Sequence, residues 1–194
     1  MSGYSDVIPV TITADTVALD ADGISTATSV GNNAALVIGG ALADGGSVTL
    51  SHGRIVTILS AGDDSAKSFT VVGTDVNGDS QTESITGANA GTATGAVYFK
   101  TIASITAVGN PAGNVSAGVN ASAADVVFTM RSRLKGVFLT STATAGEVDF
   151  LTTSPTGTSI MKLNSVSNAD ATRDVTIPDE GVVFASGIYI QYTV

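Results

Sequence analysis

The sequence predicts an all-β fold: one or two small antiparallel β-sandwich or barrel domains behind an extended N-terminal arm. Three observations predict it. Gly, Thr, Ser and Val are abundant, whereas the helix formers Leu, Glu, Lys and Arg are scarce. A branched Cβ suits a pleated surface better than a helix turn. Apolar residues recur with a period of two over short stretches, as in a half-buried strand. Turns rich in Gly, Asn, Asp and Pro punctuate those stretches at the regular spacing of sandwiches and barrels.

The elements follow in order. In VIPVTIT, Ile8, Val10 and Ile12 alternate with Pro9, Thr11 and Thr13. Pro9 has no N–H, so this strand is expected at an edge. Residues 1–35 read as an arm and linker, because GISTATSVGNN has linker composition. A β-sandwich domain is expected over 36–124, with strands in SVTLS, RIVTILS, SFTVVGTDV, DSQTESIT, AVYFKTI and SITAVG. A second β-sandwich module is expected over 125–194, from DVVFTMRSRLK through GVFLTST, GEVDFLTT, SIMKLNS, RDVTIPD and VVFAS to GIYIQYTV. The chain ends on alternating apolar residues, Ile188, Ile190, Tyr192 and Val194, so the last strand is expected to be integral to a sheet.

Composition narrows the function classes. The chain has 194 residues, 43% hydrophobic and only 13% charged, enough apolar content to bury a core. Its net charge is −9, and no Lys or Arg precedes Arg54. Nucleic-acid affinity rests on phosphate neutralisation by Lys and Arg, so direct nucleic-acid binding is not expected. There is no cysteine, hence no disulfide and no thiolate metal site. The N-terminus MSGYSDVIP lacks the basic and apolar regions of a signal peptide. The longest apolar run, AALVIGGALA, falls far short of the roughly 20 residues of a membrane helix. No membrane partner is expected.

Five features are candidates for chemistry. Asp75, Asn77 and Asp79 match the first, third and fifth ligand positions of a calcium loop. The match then fails, because Ser80 stands where Gly is needed and Thr86 where a bidentate Glu is needed. Asn77-Gly78 is instead the preferred pair for a two-residue type I′ hairpin turn. That turn places Val72 opposite Glu83 and Thr70 opposite Ile85. Asp63-Asp64 reads as a polar turn rather than an acid–base pair. His52, the single histidine, stands beside Gly53 and reads as a surface turn residue. No nucleophile elbow accompanies it. The enzyme class therefore has no residues to assign: no catalytic, cofactor or metal site is expected.

The fourth feature lies in VVFTMRSRLKG. There Val126, Phe128, Met130 and Leu134 point one way along an expected single strand, and Arg131, Arg133 and Lys135 the other. On an acidic chain that basic stripe is either a solvated face that deters strand addition or a docking surface for an acidic partner. The fifth is the arm, whose Val7, Ile8, Val10 and Ile12 could pair with a partner by strand addition.

The central segment adds a resemblance. The runs RIVTILSAGDDS (Arg54–Ser65), FTVVGTDVNG (Phe69–Gly78), QTESITGANAGTATG and FKTIASI (Phe99–Ile105) resemble a β domain that recurs in structural proteins of tailed-phage virions. The C-terminal segment from KGVFLTST to GIYIQYT is similar to a small β module of phage particle proteins. The resemblance implies a virion protein assembled in the host cytoplasm, with no catalytic residues and no cofactor. Among virion roles, the length suits a capsid decoration (cement) protein, a homo-oligomer, often a trimer, bound to the major capsid protein. The rival expectations are a tail or head–tail component, such as a fibre base or adaptor, and a carbohydrate-binding adhesin module. The adhesin reading is opposed by the lack of Trp and the scarcity of other aromatics.

Overall fold

The computed structural model describes residues 7, 9–11, 19–120, 124–141, 145–154, 157–164, 171–177 and 180–193. Every regular element among them is a β-strand, so the fold is all-β. The chain divides into two compact units, Thr16–Ser122 and Met1–Asp15 with Ala123–Val194.

The Thr16–Ser122 unit holds β1 (Asp20–Thr28), β2 (Ala43–Asp44), β3 (Ser47–Ser60), β4 (Ser68–Thr74), β5 (Ser80–Thr86), β6 (Thr92–Val108) and β7 (Val115–Val119). All pair antiparallel: β5 with β4, β4 with β6, β6 with β3, β3 with β7 and β7 with β1. The 17-residue β6 is shared. Its pairing with β3 runs from Leu59↔Thr92 to Val48↔Ile102, and its pairing with β4 from Thr74↔Thr101 to Ser68↔Val108. The alternating inward side chains Phe69 and Val71 of β4, Ile85 of β5, and Ile102 and Ile105 of β6 meet Val48, Val56 and Ile58 of β3 in one core. At about 25 cal/mol per Å² of apolar area, burying these large side chains is the main driving force for folding.

Two pairs of expected strands prove to be single ones. SVTLS and RIVTILS are both β3, and AVYFKTI and SITAVG are both β6. The presumed turn at His52-Gly53 is a bulge. Between Thr49↔Thr101 and Arg54↔Phe99, β3 advances further than its partner, and the extra residues are looped out without ending the strand. The Asp20–Thr28 part of the presumed arm is also a strand, with Ile24 and Ser25 fully buried.

The other unit holds β8 (Ala124–Phe128), β9 (Ser132–Leu134), β10 (Gly136–Ser141), β11 (Glu147–Thr152), β12 (Thr158–Asn164), β13 (Ala171–Thr176), β14 (Val182–Phe184) and β15 (Ile188–Thr193). One sheet runs β12-β11-β15-β8, and two ribbons pair β10 with β13 and β9 with β14. Phe150, Phe184, Ile188, Ile190 and Tyr192 form its core, with Leu134, Val137 and Val182 from the ribbons packed against them. The last strand is integral, as expected: β15 lies between β11 and β8.

Candidate functional site

The Asp75–Asp79 loop is a hairpin tip of a different kind from the one expected. Asp75 donates its N–H to Asp79 O at 2.9 Å, and Gly78 N–H reaches Asp75 O at 3.2 Å. The loop is thus three residues, Val76-Asn77-Gly78, with Gly78 alone at positive φ (+90°). That is a type I turn closed by a left-handed glycine, not a type I′ turn, which needs positive φ at both central residues. The register moves by one residue accordingly: Val71 faces Glu83 and Phe69 faces Ile85. The cause is Asp75. Its Oδ1 accepts the N–H groups of Asn77 at 2.8 Å and Asp79 at 2.9 Å, and its Oδ2 accepts Asn77 Nδ2 at 3.0 Å. This carboxylate is spent on the chain's own donors, an Asx-type turn.

The Asp63-Asp64 pair splits into two roles. Asp63, exposed, accepts the Ser65 N–H at 3.1 Å and the Ser65 hydroxyl at 2.7 Å, and these two bonds hold its carboxyl below the usual value. Asp64 is fully buried, and its Oδ1 accepts the Ala112 N–H at 2.7 Å. It ties the loop after β3 to the loop before β7. His52 is not a surface turn residue. It sits within β3, 8% exposed, with Nδ1 3.2 Å from Ser51 Oγ.

The presumed basic stripe does not lie on one strand. The strand breaks at Thr129–Arg131, between β8 and β9, and Met130, expected to face inward, is exposed. Arg133 Nη1 binds Glu180 Oε2 at 2.7 Å and Glu180 O at 3.0 Å, so this cation pairs with the chain's own carboxylate. The Lys135 stem lies beside Gly181, where an added Cβ would come within 3.0 Å of its Cδ. Arg131 is exposed. In the arm, Val7 and Val10 are exposed, and no strand is assigned at Val7, Pro9, Val10 or Thr11. Ile8 and Ile12 lie outside the described residues.

Sequence reasoning missed β1, β7 and the two-residue β2. The buried β7, VSAGV, and its partner β1 carry mostly small residues, because their backbones approach closely: a Cβ on Gly118 would stand 1.7 Å from Asp20 O. It also missed the Glu83 bond across the fold, in which the carboxylate accepts the Ala96 and Val97 N–H groups of β6.

Among the described residues, no three His, Asp or Glu side chains gather as a metal-ligand group. A cavity of about 120 Å³ lies among Leu42, Thr49, Leu50, Ser51, Arg54 and Val119. It is smaller than the roughly 300 Å³ at which ligand pockets begin. No described helix is long and apolar enough to cross a membrane. The geometry thus offers strand edges, exposed faces and, at Arg131, Arg133 and Lys135, exposed cations of which Arg133 pairs with Glu180, which are means of binding a surface. No family model, curated protein or solved structure matches the chain.

Proposed function

We propose that the chain is a structural component of a tailed-phage particle, a capsid decoration protein that binds the outside of the head through the major capsid protein. One observation carries this reading. The runs that resemble virion β domains, Arg54–Ser65, Phe69–Gly78 and Phe99–Ile105, fall on β3, β4 and β6, three neighbouring strands of one sheet. The resemblance therefore covers a contiguous structural module rather than scattered turns.

The mechanism follows from linkage. A protein that binds only the assembled shell shifts the assembly equilibrium toward it. Arg131 and Lys135 are exposed cations of the expected docking stripe, whereas Arg133, also exposed, is committed to Glu180. An exposed charge acts mainly on association rate and salt dependence. The arm around Val7 and Val10 contributes by strand addition.

The test uses heads purified without this chain. Adding the chain back should raise the temperature at which the heads release their DNA, and Arg131→Glu should slow its attachment at low salt. Binding to tails and not to heads would replace the decoration reading by the tail-component reading. Binding to neither would remove both.

A further inference from the structure

The outward face of the β5–β4–β6 sheet carries no charged side chain across three successive rows. Register places Thr82, Val72 and Ser104 in one row, and Ser84, Thr70 and Thr106 in the next. Thr86, Ser68 and Val108 complete the face. None of these residues is buried, and Val72 and Val108 are 38% and 45% exposed. Beyond β6 the face continues, because Ala35 bridges Thr106 and Val37 nearby is 74% exposed. Alternation turns the carboxylate of β5, Glu83, to the opposite side, where it holds β6.

We infer that this face packs against the same face of a second copy, giving a two-fold dimer. The chain carries 17 acidic and 8 basic residues, so most contacts between two copies set carboxylates against carboxylates. Across these rows that repulsion has no source. An isologous interface brings each residue near its own counterpart. A hydroxyl both donates and accepts, so Thr70 or Thr106 can bond its own symmetry mate, which an ammonium or a carboxylate cannot. Val72 and Val108 supply apolar contact, and sheet faces pack in this manner about 10 Å apart. A basic partner would find no countercharge here and would be drawn to the acidic remainder of the surface. The inference rests on this sheet alone and departs from the virion reading, which implies a homo-oligomer, often a trimer, without locating its contact.

The experiment is sedimentation of the full chain in the absence of particles. The wild type should reach twice the 19.2 kDa chain mass. Thr70→Glu with Thr106→Glu should return it to the monomer mass with an unchanged circular dichroism spectrum. Thr176→Glu, on the exposed side of β13, should leave the dimer intact. Should the double variant fail to fold, hydroxyl-radical footprinting of the wild type replaces it, with Val72 and Val108 becoming protected as concentration rises. A monomeric or trimeric wild type overturns the proposal, as does a dimer that survives the double substitution or a footprint independent of concentration. Because no particle enters the sedimentation measurement, its result is separable from the fate of the virion reading.

Discussion

The carboxylate of Asp64 accepts the backbone N–H of Ala112 at 2.7 Å, with no part of Asp64 exposed. The two residues lie 48 positions apart and join two loops at one end of the Thr16–Ser122 unit. Three further backbone bonds cross the same end, Asp64 N–H to Ala88 O, Ala90 N–H to Gly62 O and Ala61 N–H to Asn114 O. Asp64→Ala removes the acceptor of this part-buried hydrogen bond, which costs about 0.5–1.5 kcal/mol. Asp64→Asn keeps an acceptor oxygen and should recover part of that loss. Urea unfolding of the three proteins checks this, and equal midpoints for wild type and Asp64→Ala would refute it.

The hairpin tip makes a second prediction. Gly78 stands at φ +90°, a region that costs other L-residues about 1–2 kcal/mol. Gly78→Ala should lose about that much stability. Asp75→Ala should lose a similar amount, since two backbone donors lose their charged acceptor. Because those donors already occupy the carboxylate, calcium should leave the melting temperature of the wild type unchanged. A calcium-dependent rise that Asp75→Ala abolishes would restore the metal reading.

Close backbone approach makes a third. A Cβ on Gly73 would stand 1.9 Å from Thr101 O, and one on Gly118 1.7 Å from Asp20 O. Neither glycine has positive φ, so the constraint is contact rather than conformation. Gly73→Ala and Gly118→Ala should each destabilise by about 1–3 kcal/mol or more, as overpacking does. Gly31→Ala, which meets nothing within 4 Å, should stay near the wild type. Thermal melts of the three variants decide the matter.

Alkaline pH makes a fourth. The Glu147 and Asp149 carboxylates beside Lys162 raise its pKa above the ordinary 10.5, and burial raises that of Tyr189 above 10.0. In both cases the folded protein holds its proton more tightly than the unfolded chain. Each contribution is therefore complete below the unfolded pKa and is lost as pH rises through the folded one. Stability should fall above about pH 10, and Tyr189→Phe should flatten that fall. The phenol absorbance of Tyr189 should titrate later than that of an exposed tyrosine. An alkaline limb unchanged in Tyr189→Phe with Lys162→Met would contradict the assignment.

Much of the fold was legible because it rests on large apolar residues at period two. Phe69, Val71, Ile85 and Ile105 announce β4, β5 and β6, and Ile188 and Ile190 announce the last strand. What escaped notice does so for identifiable reasons. A bulge and a turn use the same residue types, so His52-Gly53 resembled the end of a strand that continues through it. β1 and β7 are specified by the smallness of Gly118 and Ala117, and smallness also describes a linker. The hairpin tip was identified, but its register depends on the Asp75 side chain, which spacing alone does not reveal. The period-two pattern of Val126 to Lys135 crosses Thr129–Arg131, where the strand is interrupted and alternation no longer fixes a common face.

The central claim, that this chain decorates a phage head, is tested most directly by its copy number in purified particles relative to the major capsid protein. Quantitative mass spectrometry or a stained gel suffices. The decoration reading predicts a copy number approaching that of the capsid protein, in particles both with and without tails. Absence from particles, or a few copies that follow the tail fraction, would contradict it.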